Sequence, residues 1–254
     1  MLELPVAIAA VLYARRARTL ALRGRPVPGR RQAWFYGGLL VLLVALVSPV
    51  HELAEERLFY MHMVQHLLLG DLAALMIVLG LDGRLLRPLL AWRPMQRLRV
   101  LAHPLVALPL WAANLFLWHL PALYEGALRS DSLHALEHAL FFTTGALMWA
   151  AVVQPLPGPR WFGLGARAGY VLAVRTLAAA LANVFIWSGR PFYGAYAAGE
   201  RLSGVDPLTD QQIAGLIMFV EGSVVTVLAF AWLFLRFMSE TAPARARARP
   251  PRSA

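Results

Sequence analysis

The feature that most constrains this chain is a repeating alternation of long apolar stretches with short arginine-bearing connections. Seven stretches, at residues 2–22, 32–50, 59–81, 100–120, 132–153, 168–188 and 210–238, are each about as long as a bilayer-spanning helix, which needs about 20 mostly apolar residues. Composition agrees. Apolar residues make up 59% of the chain and charged residues 15%, and mean hydropathy is +0.57, whereas soluble domains carry roughly 25% charged residues. A water-soluble fold would lack the polar side chains to cover such a core. The expectation is an all-α, polytopic membrane helix bundle of about seven transmembrane helices. Residues 1–238 read as one transmembrane domain and residues 239–254 as a disordered basic cytoplasmic tail. The first stretch is the weakest, because only residues 4–14 are cleanly apolar and Arg15, Arg16 and Arg18 follow.

The formal net charge is +10, and all 24 basic residues are arginine. Nucleic-acid binding is not expected, because the arginines lie in short connections rather than along one helical stripe. Nineteen of the 24 fall in the connections 15–31, 82–99 and 154–167 and in the tail from 236. The opposite connections hold Arg57, Arg129, Arg190 and Arg201, together with seven of the 14 acidic residues, Glu52, Glu55, Glu56, Glu125, Asp131, Glu200 and Asp206. The positive-inside rule then predicts an outward N-terminus and a cytoplasmic C-terminus. No cleavable signal peptide is expected, since no basic stretch precedes residues 2–13 and no cleavage site follows them. The chain has no cysteine, which removes disulfides and thiolate ligands.

Six of the seven histidines gather at the outer ends of four helices: His51, His62, His66, His119, His134 and His138. Only His103 lies at the other end. His62/His66 and His134/His138 share a spacing of four residues, which stacks two imidazoles on one helical face. Two such helices facing each other would offer four nitrogens to one ion, with His119 as a fifth at the rim of a cavity open to the outer face. Imidazole suits copper, zinc, iron and nickel, and thioethers such as Met61, Met63 and Met218 favour Cu(I). Gln65 and Glu137 are candidate partners for ring N–H groups. The plain alternative is that each histidine is a polar helix-end residue bonded to backbone. Neither pair is the H-E-x-x-H zincin pattern, because Met63 and Ala135 stand where the glutamate would be. No enzyme activity is expected.

Asp71 and Glu221 fall about 15 Å into their helices, near mid-bilayer, where ionisable groups are costly. Arg175 enters from the opposite side and is expected to pair with one of them inside the bundle. The competing expectation is that it snorkels to the cytoplasmic surface.

Four blocks resemble a known family: Met61–Leu69 (MHMVQHLLL), Leu117–Tyr124 (LWHLPALY), His134–Phe142 (HALEHALFF) and Asp210–Met218 (DQQIAGLIM). In that order they resemble signatures of the CtaG family of cytochrome c oxidase assembly proteins, associated with caa-type oxidases. The resemblance implies a multi-pass bacterial plasma-membrane protein that matures a terminal oxidase, with oxidase subunits and the lipid bilayer as partners and copper as the cofactor it handles. The candidate metal set is His62, His66, His119, His134 and His138. Gln65, Glu137, Asp71, Arg175, Met218 and Glu221 are candidates for a surrounding shell or a pathway. Three other readings stay open: a transporter of copper or another small solute through Asp71, Arg175 and Glu221; a b-type haem protein with one axial histidine from each paired helix; and a scaffold that grips oxidase subunits and binds nothing.

Overall fold

A computed structural model describes residues 3–47, 58–198 and 204–247. His51, the acidic Glu52, Glu55, Glu56 and Glu200, Arg57, Arg201 and the end of the tail lie outside the described residues. Within them the chain is helical, with no strand.

The helices are α1 (Glu3–Leu22), α2 (Gly29–Val47), α3 (Phe59–Gly80), α4 (Gly83–Leu90), α5 (Arg93–Ala102), α6 (Pro104–Trp118), α7 (Pro121–Leu128), α8 (Asp131–Val153), α9 (Leu164–Trp187) and α10 (Pro207–Arg247). Each of the seven apolar stretches corresponds to one of the longer helices. Five of these, α2, α3, α8, α9 and the 207–240 part of α10, are long and apolar enough to cross a membrane. The count of clear spans is therefore lower than the expected seven, for two physical reasons. Helix α6 has 15 residues, roughly 22 Å, and reaches spanning length only together with α5, from which it is bent by 74°. The bend falls at His103-Pro104, where proline opens a new helix and the His103 ring caps it at Leu105 N–H, 3.4 Å away. Helix α1 carries three arginines in its second half and fails the hydropathy criterion. Arg16 there donates to the Arg84 carbonyl at 2.8 Å, tying α1 to α4.

Helix α10 runs on to Arg247, nine residues past the boundary at 238 expected from the sequence. Helix α9 begins at Leu164, earlier than the expected 168, because Gly163 breaks the chain just before it. The tail expected to be disordered overlaps the last turns of α10, and residues 248–254 lie outside the described residues.

Packing places α3 at the centre. Its first turns rest on α10, and its remainder lies between α2 and α8. Helix α8 also packs on α6, and α9 packs along α10. The main core joins Phe59, Met63, Trp111, Trp118, Phe141, Trp149, Phe185 and Met218. A smaller one joins Tyr13, Leu20, Phe35 and Leu39 from α1 and α2. Around both, the exterior is apolar: Leu172, Val184, Val220, Val227, Leu228, Phe234 and Leu235 are all more than half exposed. In water such a continuous surface would be an association liability; in a bilayer it is the lipid-facing wall.

Candidate metal centre

Helix α3 presents its histidines from a helix start held by another element. Leu58 offers no side-chain cap. Instead the buried Asp210 carboxylate of α10 accepts the backbone N–H groups of Phe59 and Tyr60, both at 2.8 Å. A negative group against these N–H groups also complements the helix dipole. Gln211 beside it fixes the preceding loop. Its Oε1 accepts the Phe192 N–H at 2.8 Å, and its Nε2 donates to the Arg190 carbonyl at 3.3 Å. Sequence reasoning found the Asp210-Gln211 block by resemblance but assigned these two residues no role. The available signal was polarity: two adjacent polar side chains open a span whose next turns are apolar.

Farther along, α3 and α8 come into backbone contact. A Cβ on Gly145 would overlap the Gly70 carbonyl, so glycine sets the closest approach, as small residues do at membrane helix crossings. The α-helical winding of α3 loosens into one π-helical turn at Leu68–Ala73 around this contact, a deviation that concentrates at functional sites. The crossing lies one turn inward of His66 and two turns inward of His138, so it brings the two histidine faces together.

There the structure gathers His62, His66, His134 and His138 around Glu137. Glu137 is fully buried, and its carboxylate lies 3.7 Å from His66 Nε2, 3.9 Å from His62 Nε2 and 4.0 Å from His134 Nε2. Ring centroids are 4.3 Å apart for His62–His66, 4.1 Å for His134–His138 and 5.4 Å for His62–His134. Two groupings hold their ligand atoms within 4.8 Å of one another: His62, His134 and His138, and His62, His66 and Glu137. Glu137, read from sequence as a supporting residue, is central here.

These separations bear on chemistry. At 3.7–4.0 Å the imidazole–carboxylate pairs are too long for direct hydrogen bonds. Two ligands on one tetrahedral first-row ion, with bonds of about 2.0–2.1 Å, stand roughly 3.4 Å apart. The three imidazole–carboxylate pairs exceed that spacing by about half an ångström, and the two groupings, each spread over no more than 4.8 Å, would draw together further to share one cation. Among the described residues, both carboxylate oxygens of Glu137 and both ring nitrogens of His66 are buried with no hydrogen-bond partner. Buried polar atoms are ordinarily satisfied. A donor set of nitrogen and carboxylate oxygen with unsatisfied atoms fits a borderline divalent metal such as Cu(II) or Zn(II).

Two expectations about the site differ from the structure. The cluster is enclosed rather than open to the outer face, with none of the four histidines more than 7% exposed. Aromatic residues of α7 and of the connection between α9 and α10 cover it. Tyr124 of α7 packs at 4.9 Å from His62 and meets Tyr196 in a hydroxyl–hydroxyl bond of 2.6 Å. Tyr193 donates to the His119 carbonyl at 2.8 Å. His119 itself does not sit at the rim. It turns into the bundle, with its ring 6.4 Å from His66 and Nε2 3.3 Å from Met63 Sδ.

Gln65 Nε2 donates to the Ala45 carbonyl of α2 at 2.8 Å. Met63, Met218, His66 and His119 line a cavity of about 50 Å³ with Asp71 and Arg175 at its inner end; Met61 is not among its lining residues. Arg175 faces the bundle interior, 3.3 Å from Asp71 and 3.5 Å from Glu221. Trp149 Nε1 donates to the second Asp71 oxygen at 3.0 Å. The guanidinium sits against Gly222, where any Cβ would overlap it. His103 remains at the other end of the bundle, beside Trp161.

Neither the curated proteins nor the solved structures contain a match to this chain. One family profile does match: the cytochrome c oxidase caa3 assembly factor, Caa3_CtaG, over residues 11–240. That stretch contains every helix from the middle of α1 to the described end of the apolar part of α10, and with it the whole histidine cluster. The chain belongs to the family of cytochrome c oxidase caa3 assembly factors.

Proposed function

We propose that this assembly factor binds copper through His62, His66, His134, His138 and Glu137 and passes it to the oxidase at the outer face of a bacterial plasma membrane. The observation that carries the reading is the fully buried Glu137 carboxylate, set 3.7–4.0 Å from three imidazole nitrogens. A lone buried carboxylate is costly, and a bound cation offsets that cost. The arginine distribution supports an N-terminus outside and a C-terminus in the cytoplasm, which puts the histidine ends of α3, α6 and α8 on the outer side. The protein contributes ligands and shape rather than catalysis.

Two competing readings meet physical obstacles. A haem would need a slot for a porphyrin, while the imidazoles pack with centroids 4.1–6.4 Å apart and the adjoining cavity is about 50 Å³. A cation pathway through the bilayer would have to pass the Arg175 guanidinium, which bridges Asp71 and Glu221 and fills the inner end of that cavity.

The test is replacement of His134 and His138 together by alanine in the full chain. Copper content of the purified protein and copper-dependent oxidase maturation should both be lost, with membrane insertion retained because apolar length drives spanning. Stoichiometric copper and a mature oxidase in that variant would reduce these histidines to structural residues.

A further inference from the structure

The cavity beside the cluster contains a second constellation that the imidazole–carboxylate site does not use. His119 Nδ1 lies 2.7 Å from the Leu115 carbonyl oxygen. A carbonyl only accepts, so Nδ1 carries the proton and, in the neutral ring, Nε2 presents a lone pair. That lone pair points at Met63 Sδ, 3.3 Å away. A thioether sulfur is also an acceptor, so two electron-pair donors face each other inside the protein. His119 is 7% exposed and Met63 1%. Among the described residues no carboxylate comes within ion-pair distance of His119, so nothing nearby stabilises an imidazolium that would donate to the sulfur. Met218, a second thioether at 6% exposure, lines the same cavity.

Thioether and imidazole together select soft, low-charge ions, whereas carboxylate favours harder ones. With bonds of about 2.0 Å to nitrogen and 2.3 Å to sulfur, two ligands at a trigonal ion stand roughly 3.7 Å apart. The observed pair is about 0.4 Å short of this, a displacement within reach of the flexible methionine side chain. Met63 and His119 both line the adjoining cavity of about 50 Å³, and neither donor carries a charge, which suits a monovalent ion better than a divalent one.

We propose that His119 and Met63, with Met218 beside them, form a second site, specific for a soft monovalent cation of the Cu(I) and Ag(I) class. This deepens the copper reading and rests on it for the identity of the physiological ion, though not for the donor chemistry. His66 faces Glu137 on one side and lines the soft cavity on the other. It thus links a nitrogen–oxygen site to a nitrogen–sulfur site, one ligand exchange apart.

The experiment uses the full chain purified in detergent, titrated with Ag(I), and read by calorimetry and by X-ray absorption at the silver edge. The wild type should show a sulfur scatterer around silver. Met63→Leu, which conserves volume, should remove that scatterer, or halve it where Met218 also binds, and weaken Ag(I) binding at least about tenfold, since even supporting residues around metals are worth about 10–100-fold. His134→Ala/His138→Ala should keep both the sulfur scatterer and Ag(I) affinity. Should Met63→Leu fail to accumulate, His119→Ala reads the same site through its nitrogen. A nitrogen–oxygen shell in the wild type, or an unchanged sulfur shell in Met63→Leu, overturns the soft site and leaves the cluster reading intact. A sulfur-bound silver in the wild type, combined with normal copper content and oxidase maturation in His134→Ala/His138→Ala, upholds the soft site and overturns the cluster reading.

Discussion

Asp210 caps a helix that begins 151 residues before it in the chain: its carboxylate accepts the Phe59 N–H of α3 at 2.8 Å. The His62 and His66 pair hangs from that start, so the position of two candidate ligands depends on a residue of the last helix. Loss of a capping side chain costs about 0.5–2 kcal/mol. Asp210→Ala is expected to lower stability by an amount in that range and to weaken copper binding. Asp210→Asn, which keeps one acceptor oxygen, should fall between it and the wild type. Thermal unfolding in detergent and equilibrium copper binding on the same preparations check the order.

The Gly70–Gly145 contact predicts a sharp steric threshold. A methyl at position 145 has no room against the Gly70 carbonyl, so Gly145→Ala must move α8 away from α3. Overpacking of this kind costs about 1–3 kcal/mol. The histidine faces should separate with the helices, so copper binding should weaken as stability falls. Gly169→Ala, where open space surrounds the added methyl, serves as the control: it should leave copper binding unchanged and stability level or higher by up to about 1 kcal/mol. Circular dichroism melts with copper titrations distinguish the two variants.

Arg175 bridges Asp71 and Glu221 at 3.3 and 3.5 Å, and removing it leaves the buried Asp71 carboxylate and the half-buried Glu221 carboxylate without their shared cation. Breaking a buried pair by losing one partner costs about 3–5 kcal/mol, whereas replacing the whole group by neutral residues is often tolerated. Arg175→Met alone should therefore unfold or fail to accumulate. Arg175→Met/Asp71→Asn/Glu221→Gln should recover most of the lost stability. Because the guanidinium blocks the inner end of the cavity, proteoliposomes of the wild type should show no copper uptake. Uptake above empty vesicles would restore the transporter reading.

Much of this architecture was legible in the sequence, and the reason is the bilayer. A spanning helix must be long and apolar throughout, so α2, α3, α8, α9 and α10 announce themselves by composition. The histidine spacing was equally readable, because four residues is a local helical geometry. The central place of Glu137 was not, since it depends on how α8 rotates against α3, and that rotation is set at Gly70 and Gly145. The same holds for His119. Its distance from the end of α6 suggested the rim, but the Leu115 carbonyl holds the ring toward the interior. Helix α6 was misjudged in length because the apolar run from residue 100 hides a 74° bend at Pro104. The Asp210 cap joins residues far apart in sequence, and no periodicity reports such a contact.

Glu137 offers the most direct separation of ligand chemistry from packing. Its carboxylate is fully buried among His62, His66 and His134. Glu137→Gln keeps the volume and one acceptor oxygen but removes the negative charge. If Glu137 only holds helices together, the variant should be at least as stable as the wild type and should bind copper equally well, since a neutral amide is cheaper to bury. If it balances or ligates a cation, copper affinity should fall about 10–100-fold, as for other close partners of metal sites, while the unfolding temperature without metal stays level or rises. Glu137→Asp retains the charge but withdraws it by one methylene, and should restore part of the affinity. The expected outcome is that apo stability and copper affinity move apart in Glu137→Gln. Unchanged affinity in that variant would remove the carboxylate from the site.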